Sequence, residues 1–304
     1  MFEGGKPVKV SDVVKYLDSL SIDYCIDGNE DIVLLGYSSL FRYQAGTITW
    51  LRDYSTLLSG DFSIPKRFAC IVTSKGTERL YNAECQIWVD NPKDAFFDIL
   101  DQFWTEVEDL KISSNANIKN GAKLGDNVSI GPFTSISSKT IIGNNCKIGS
   151  NVVIKGKVTI GDNCVVQSGA VLGEDGFGFI KKENSQKFVK HYGGVTLENN
   201  VQVGAQTCIC RGAIDDTYIG EHTKIDNLCH IAHNVVIGKR CLVIAGTVIM
   251  GSVHIGNDCW IATSIIRDLR KIGNNCVIGM GAVVVENVPD GTTVVGNPAK
   301  EYVK

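Results

Sequence analysis

Five histidines provide the side chains best suited to proton transfer near neutral pH: His191, His222, His230, His233 and His254. Gly251 follows His233 at a separation that is three times a six-residue repeat found along the chain. If the fold completes one coil over that separation, Gly251 stacks beside His233, and its bare backbone lets a ligand approach closely. An imidazole beside an exposed N–H suits acyl transfer, because it pairs a general base with an oxyanion donor. Asp226 is our candidate for the carboxylate that orients the imidazole.

Two other interpretations of these histidines stay open. His233 could be an exposed polar residue with no catalytic role. His230 and His233 could instead share a metal ion. They flank Ile231, which we expect to point inward, and no third ligand has an obvious spacing. We therefore predict a site without a metal.

The six-residue repeat sets the length of the predicted coil. An aliphatic residue recurs at every sixth position without a slip: Ile112, Ile118, Leu124, Ile130, Ile136, Ile142, Ile148, Ile154, Ile160, Val166 and Leu172. Neither a 3.6-residue helical period nor simple alternation produces this spacing. It predicts a three-sided parallel β solenoid, in which each hexad forms one short strand and one corner, and three hexads form a coil.

Most of the 11 cysteines fit this repeat without any redox role. Six of them occupy its small-residue position, four after the aliphatic anchor: Cys146, Cys164, Cys229, Cys241, Cys259 and Cys276. A buried free cysteine behaves as a small hydrophobic residue. The chain has no CxxC pair, so a zinc ribbon is not expected.

The repeat also sets the predicted domain organisation. Residues 1–110 lack hexads and predict a small α/β cap domain, with a helix after Ser11 and another from Pro92 to about Val107. Residues 111–292 form the solenoid. An inserted loop at 175–196 interrupts it, and slips fall near 215–218 and 267–271. Residues 293–304 form a C-terminal tail.

The cap domain contains an aromatic pair, Trp50 and Tyr54, at and just after a predicted strand. One interpretation is packing in the core of this domain. The other is a platform on which a nucleotide base stacks.

Composition excludes several classes. The net charge of −3 gives no basic field for nucleic acid or anionic membranes. No apolar run is long enough to span a bilayer. The N-terminus lacks the apolar region of a signal peptide, so we expect a cytoplasmic location.

The hexads resemble those of the left-handed β-helix acyltransferases, and more specifically those of the UDP-3-O-acylglucosamine N-acyltransferases of lipid A synthesis. Three segments carry the resemblance: Gly173-Glu174-Asp175-Gly176-Phe177-Gly178-Phe179, Arg211-Gly212-Ala213-Ile214-Asp215-Asp216-Thr217, and Lys224-Ile225-Asp226-Asn227 leading into Ile231-Ala232-His233-Asn234. The resemblance implies a mainly β fold, a left-handed parallel β-helix preceded by the small α/β domain.

The resemblance also implies roles. It makes His233 the general base, Asp226 its partner and Gly251 the oxyanion donor, with Trp50 and Tyr54 at the uracil ring. It implies a homotrimer with active sites between subunits. The substrate groove would be lined by residues of the matching segments and of the C-terminus: Phe177, Phe179, Asp215, Asn234, Asn297 and Lys300.

Three departures from the family pattern affect the choice of donor. Cys210 stands where the family has an aspartate, and the sequence Ile265–Leu269 replaces a Gly-His motif. The family's helical tail toward acyl carrier protein is missing. The end, Gly296-Asn297-Pro298-Ala299-Lys300, instead resembles the coenzyme A-binding end of sugar acetyltransferases.

We therefore predict an N-acyltransferase that moves an acyl group from a thioester of coenzyme A or acyl carrier protein to a nucleotide-linked amino sugar, for lipid A or surface polysaccharide. The thioester is a co-substrate, and no permanently bound cofactor is expected. The alternatives are an acetyl-coenzyme A-dependent sugar acetyltransferase of O-antigen or capsule synthesis, a non-catalytic β-helix binding protein, and a γ-type carbonic anhydrase, which the lack of His-x4-His disfavours.

Overall fold

A computed structural model describes residues 6–52, 67–105 and 111–302. The chain divides into two compact units, residues 1–108 and 109–304. In the described part of the chain, neither helix has the length and apolar character needed to cross a membrane.

The first unit is a small α/β unit with a mixed sheet in the order β2-β7-β6-β5-β4 and a separate antiparallel pair, β1 with β3. Its elements are β1 Val8–Lys9, α1 Val10–Ser19, β2 Tyr24–Gly28, β3 Val33–Leu34, β4 Gly36–Tyr37, a 3-10 turn Leu40–Arg42, β5 Thr47–Leu51, β6 Phe68–Ser74, β7 Ala83–Val89 and α2 Pro92–Phe103.

Both helices in the described part of this unit bury one apolar face. Val13 and Leu17 of α1 are fully buried, as is Ile99 of α2. Pro92 opens α2 at the position where its missing N–H costs nothing, and Asn91 caps that end. Two sequence predictions were imprecise here. The first helix begins at Val10 with no side-chain cap, so Ser11 lies inside its first turn, and α2 ends at Phe103 rather than near Val107.

The second unit is the β-helix, whose short strands form three parallel faces. Face I contains β10 Ser129–Ile130, β13 Lys147–Ile148, β16 Val165–Val166, β21 Gln202–Val203, β24 Lys224–Ile225, β27 Leu242–Val243, β30 Trp260–Ile261, β33 Val277–Ile278, β35 Thr293–Val295 and the antiparallel β36 Lys300–Glu301. Face II contains β8 Asn117–Ile118, β11 Ser135–Ile136, β14 Val153–Ile154, β17 Val171–Leu172, β22 Cys208–Ile209, β25 His230–Ile231, β28 Val248–Ile249, β31 Ile265–Ile266 and β34 Val283–Val284.

Face III contains β9 Lys123–Leu124, β12 Thr140–Ile142, β15 Val158–Ile160, β20 Val195–Leu197, β23 Thr217–Ile219, β26 Val236–Ile237, β29 His254–Ile255 and β32 Lys271–Ile272. The chain runs from face I to face II to face III and then to the next coil. The fold class is therefore the predicted one.

The repeat positions do what the sequence predicted of them. Ile136 pairs with Ile154 in register one coil away, and both are buried inside the prism. All six cysteines at the small-residue position are also buried. Because inward side chains from each coil cover those of the next, the core is continuous along the axis.

Corners are stabilised by side-chain ladders and left-handed residues. The amide oxygen of Asn144 accepts the backbone N–H of Asp126 in the preceding coil, and Asp162 accepts that of Asn144 in turn. Asparagine commonly occupies the tight corner positions, for example Asn145 at φ 55° and Asn163 at φ 56°, where it tolerates positive φ better than most residues.

The interruptions differ in part from prediction. The inserted segment contains a hairpin, β18 Phe179–Lys181 paired with β19 Gln186–Phe188, and regular coils resume at β20. The last slip lies earlier than predicted. Ile266 is paired with Ile249, so this coil is one residue short and the shortening falls before residue 267. The predicted tail also continues the β-helix, because Thr293–Val295 pairs with β33 on face I.

Candidate active site

His233 lies at the corner between faces II and III, just after β25. One coil further on, Gly251 occupies the equivalent position, and Ser252 N donates to His233 O at 2.9 Å. A Cβ atom added to Gly251 would lie only 2.8 Å from Cε1 of His233. The imidazole therefore rests against the bare backbone of Gly251, as the three-hexad spacing predicted, and a larger residue there would force the ring to move.

The backbone of Gly251 carries an available donor. In the described part of the chain, the N–H of Met250 donates to Ile266 O and that of Ser252 donates to His233 O, while the Gly251 N–H meets no protein acceptor. Leu269 N donates to Gly251 O, which places Asp268 next in the same column. The column at this corner thus reads His233, Gly251, Asp268.

Asn234, not Asp226, contacts the imidazole. Its side-chain oxygen accepts the backbone N–H of Ala213 at 2.6 Å, so its NH2 group faces Nδ1 of His233 at 3.1 Å. The roles of Nδ1 and the amide in this contact depend on the tautomer of the ring, and a general base that acts through Nε2 needs the tautomer in which Nε2 carries no proton.

The expected contact between Asp226 and His233 is not present within one chain. Asp226 follows β24 at the corner between faces I and II, whereas His233 follows β25 at the next corner. The Asp226 carboxylate accepts the backbone N–H groups of Asn227 at 2.7 Å and Ala245 at 3.2 Å. Asp226 therefore stabilises the corner at which it lies. It does not reach His233, because the chain between the two residues passes from one corner to the next.

The inserted segment brings a second histidine to the site. His191 is buried, and its ring centroid lies 5.1 Å from that of His233 in an edge-on arrangement. Partial burial, with His191 as the second cause, lowers the pKa of His233. Both effects favour the neutral imidazole, which is the form a general base requires. We did not predict His191, because it lies in the break of the repeat, where hexad spacing gives no position.

A partly buried arginine fixes the start of this insertion. Arg211 donates to Gly173 O at 2.6 Å, and its guanidinium lies 3.8 Å from the Asp175 carboxylate. Asp175 in turn accepts the backbone N–H of His191 at 3.2 Å. The chain of contacts from Arg211 through Asp175 ties the insertion to the coil that precedes His233.

These elements enclose a cavity of about 1060 Å³ along face II. His233 and Gly251 line it, together with three aromatic side chains of the insertion, Phe177, Phe179 and Phe188. Phe177 and Phe179 are 5.0 Å apart, and Phe179 and Phe188 are 5.4 Å apart, so the three rings form one apolar wall. Further residues line the rest of the cavity: Met250, Ile265, Arg267, Asp268, Val283 and Val285.

The other predicted groove residues lie in different places. Asn234 contacts His233, as described above. Asp215 lines a smaller depression, which shares Ser252 with the cavity of His233. Asn297 and Lys300 do not line the cavity of His233 within one chain. Asn297 is exposed, and Lys300 lies at a separate depression at the C-terminal end, because the tail folds back on face I rather than face II.

The nucleotide-binding prediction falls on the first unit. Trp50 lies on β5, is half buried and packs against the core of that unit. This placement agrees with the core-packing interpretation and leaves base stacking a prediction. Tyr54 lies outside the described residues.

A further group on the cavity wall was not expected. The side chains of Cys208, Cys210 and His230 lie within 4.8 Å of one another. The sequence spacing suggested no third ligand beside His230 and His233, and the two cysteines were not predicted. The signal was the alternation Cys208-Ile209-Cys210, which places both cysteines outward beside an inward isoleucine. Hydrogen bonds from Cys210 and then His230 lower the pKa of Cys208.

The repeats match known families. Residues 139–174 and 216–251 match the family described as bacterial transferase hexapeptide (six repeats). Residues 271–286 match the hexapeptide repeat of succinyl-transferase.

Curated relatives match part of the chain. The UDP-3-O-acylglucosamine N-acyltransferase of Caulobacter sp. (strain K31) is 41% identical over 133 residues, which is 43% of this chain and 39% of that protein. The protein of the same name from Methylorubrum extorquens (strain PA1) is 41% identical over 134 residues, covering 43% of this chain and 38% of its own length. The matched region thus spans about two fifths of these relatives.

Solved structures share the fold. The UDP-N-acetylglucosamine acyltransferase of Bacteroides fragilis 9343 aligns with a TM-score of 0.58 and 26% identity, over 63% of this chain and 74% of that one. The structure of LpxA from Acinetobacter baumannii aligns with a TM-score of 0.58 and 28% identity, over 64% and 74%. The second unit therefore has the left-handed β-helix fold of these structures.

Proposed function

We propose that the protein is an N-acyltransferase that moves an acyl group from a thioester to the amino group of a nucleotide-linked sugar, in lipid A synthesis or a related surface-glycan pathway. The observation that carries this proposal is the stacking of His233 on the free N–H of Gly251 inside an apolar cavity. The names of the 41% identical relatives support the same reaction.

The chemistry needs one base and one oxyanion donor. The neutral imidazole of His233 takes a proton from the sugar amine as its nitrogen attacks the thioester carbonyl, forming the C–N bond. The Gly251 N–H donates to the oxygen that becomes negative. When the carbonyl re-forms, the C–S bond breaks, and the departing thiolate takes the proton from His233. The amide and the free thiol are the products, and no further reactant is consumed.

The aromatic wall suits a long acyl chain. Phe177, Phe179 and Phe188 are 88%, 46% and 44% exposed, so the three rings present apolar area that an aliphatic chain would cover. An acetyl group would leave most of the cavity unfilled. This favours a longer acyl or hydroxyacyl group over acetyl transfer.

We also propose that three copies assemble, with neighbouring subunits closing the groove. Three apolar side chains lie in register on face I: Leu242, Trp260 and Val277, which are 37%, 48% and 38% exposed. A second copy of the chain would cover this stripe of exposed apolar side chains.

Sedimentation analysis should give a trimer, and Trp260→Glu should give monomers because it places a charge in that stripe. A monomeric native protein would contradict the assembly.

The donor remains a choice between acyl carrier protein and coenzyme A. The ending around Asn297 and Lys300 favours coenzyme A by its sequence, and these residues stand on the surface, where they are accessible. The relatives favour a lipid A acceptor. A coenzyme A thioester of a long acyl group would satisfy both.

The test is a panel assay with purified protein. UDP- and dTDP-linked amino sugars are combined with acetyl and hydroxyacyl thioesters of coenzyme A and of acyl carrier protein, and thiol release is followed. Turnover with an acylated UDP-glucosamine and a hydroxyacyl carrier-protein donor supports lipid A synthesis. Turnover with acetyl-coenzyme A alone would favour the sugar acetyltransferase. No thiol release with any pair, from correctly folded protein, would contradict acyl transfer.

A further inference from the structure

Two cysteines and a histidine meet on the outward side of face II, where Cys210 is buried and Cys208 and His230 are partly exposed. Cys208 and His230 are direct neighbours on the paired strands β22 and β25. Cys210 is the next residue but one after Cys208, and successive side chains in a strand alternate in direction, so both thiols point away from buried Ile209. The two sulfur atoms and an imidazole nitrogen lie within 4.8 Å of one another.

These two cysteines differ from the six inside the prism. Each interior thiol lies against backbone carbonyl oxygens of its own and the next coil; Cys146 Sγ, for example, is 3.0 Å from Gly161 O, and Cys241 Sγ is 3.1 Å from Gly256 O. The thiol of Cys208 instead hydrogen-bonds with the side chains of Cys210 and His230. The interior cysteines fill space, whereas Cys208 and Cys210 present sulfur to a third ligand.

The separation of these atoms suits a metal ion. Bond lengths of about 2.0–2.3 Å in a tetrahedral zinc site place ligand atoms roughly 3.5–3.8 Å apart. The two sulfur atoms and the imidazole nitrogen lie within 4.8 Å of one another, so small side-chain rotations would bring them to these distances. Two thiolates and one imidazole are soft and borderline ligands, which select zinc and similar ions over magnesium or calcium.

We propose that Cys208, Cys210 and His230 bind one zinc-like divalent transition-metal ion per chain. All three residues line the cavity that also contains His233, so the fourth coordination position faces that cavity and is open to water or to a thiol. This inference does not rest on acyl transfer. It rests on ligand type and position alone, and it concerns a position, Cys210, at which the chain departs from the family it resembles.

The direct test uses cobalt as a spectroscopic substitute for zinc. Full-length protein is reduced, stripped with a chelator and titrated with Co²⁺. We expect one equivalent to bind, with a thiolate-to-cobalt charge-transfer band and the intense visible bands of tetrahedral cobalt. Zinc should then displace the cobalt stoichiometrically.

Variants assign the ligands. Cys208→Ser, Cys210→Ser and His230→Ala should each weaken zinc binding by more than the roughly 10–100-fold that loss of an outer-shell partner causes. Cys25→Ser is the matched control, because Cys25 is an exposed thiol in the other unit and should leave binding unchanged. Thermal unfolding of each variant, measured without metal, checks that the β-helix is intact.

Three results would overturn the site. The first is a cobalt complex without a thiolate band, which would indicate ligands other than these cysteines. The second is equal zinc affinity of wild type and Cys208→Ser. The third is a Cys208–Cys210 disulfide, detected by mass, combined with no metal binding after its reduction. Because the readout is metal binding, it can succeed or fail whatever the panel assay of thiol release shows.

Discussion

The coils before the insertion and the coils after it share one core but differ in what their corners carry. Residues 112–172 repeat without interruption, and none of the five histidines falls among them. All five lie between residues 191 and 254, within the insertion or in the coils that follow it. The inward positions are alike in both regions, with Ile154 and Ile249 equally enclosed.

This difference separates the scaffold from the site. A regular coil can present side chains only at the outward positions of its strands and corners. The insertion adds side chains that no hexad could place, namely His191 beside His233 and the aromatic wall around Phe179. The coils after the insertion carry the site because the insertion, which lies outside the repeat, folds over them. Their core is the same as that of the earlier coils.

Removing the base should have the largest effect on activity. His233→Ala should lower kcat/KM about 10²–10⁴-fold, because the proton of the attacking amine loses its acceptor. His222→Asn is the matched control. It changes a histidine at another corner, with φ of 60°, to a residue that tolerates that conformation. Wild-type turnover in His233→Ala would remove the catalytic role of this corner.

The shared core predicts equal losses of stability on both sides of the insertion. Ile154→Ala and Ile249→Ala should each lower the free energy of unfolding by about 2–5 kcal/mol, since both remove a fully packed anchor and leave a cavity. Chemical denaturation of the two variants measures this. A loss confined to one region would show that the two sets of coils are not energetically equivalent.

Loosening the insertion should reduce activity while sparing the coils. Arg211→Ala removes the contacts to Gly173 and Asp175, so His191 and the aromatic wall lose their fixed position. We expect kcat/KM to fall about 10- to 100-fold and proteolysis near residues 182–185 to accelerate. Asp175→Asn, which keeps the shape of the side chain, should show a smaller effect of the same kind. Unchanged activity in Arg211→Ala would mean that the insertion does not position the site.

The smallest expected effects are shifts in the pH profile. Burial and His191 lower the pKa of His233, so activity should be lost only as the pH falls below the ordinary histidine value of about 6.5. His191→Gln removes the repulsion from a second imidazole and should move this loss to higher pH. Asn234→Asp should move it in the same direction, because a carboxylate favours the protonated ring. Profiles of kcat/KM against pH that coincide for all three proteins would contradict these assignments.

Prediction from sequence succeeded where the repeat is local. The hexad places Ile136 and Cys146 inside and predicts that Gly251 stacks on His233, since each follows from counting residues along one coil. Counting residues did not place Asp226 correctly within one chain. Asp226 is close to His233 in sequence, but the two residues lie at different corners of the coil. Counting also misplaced the last slip, because Ile265 and Ile266 offer two equally apolar anchors and only strand pairing distinguishes them.

The six-residue repeat is enough to predict the β-helix, its core and the column of His233 and Gly251, because a period of three hexads fixes which residues become neighbours. The side chains that surround this column follow only from the folded structure. His191 reaches His233 through the insertion, Asn234 replaces Asp226 at the ring, and Cys208 meets His230 across the pairing of two successive coils. Such neighbours depend on how an irregular segment folds back and how extra residues change the step between coils, and no periodic pattern encodes either.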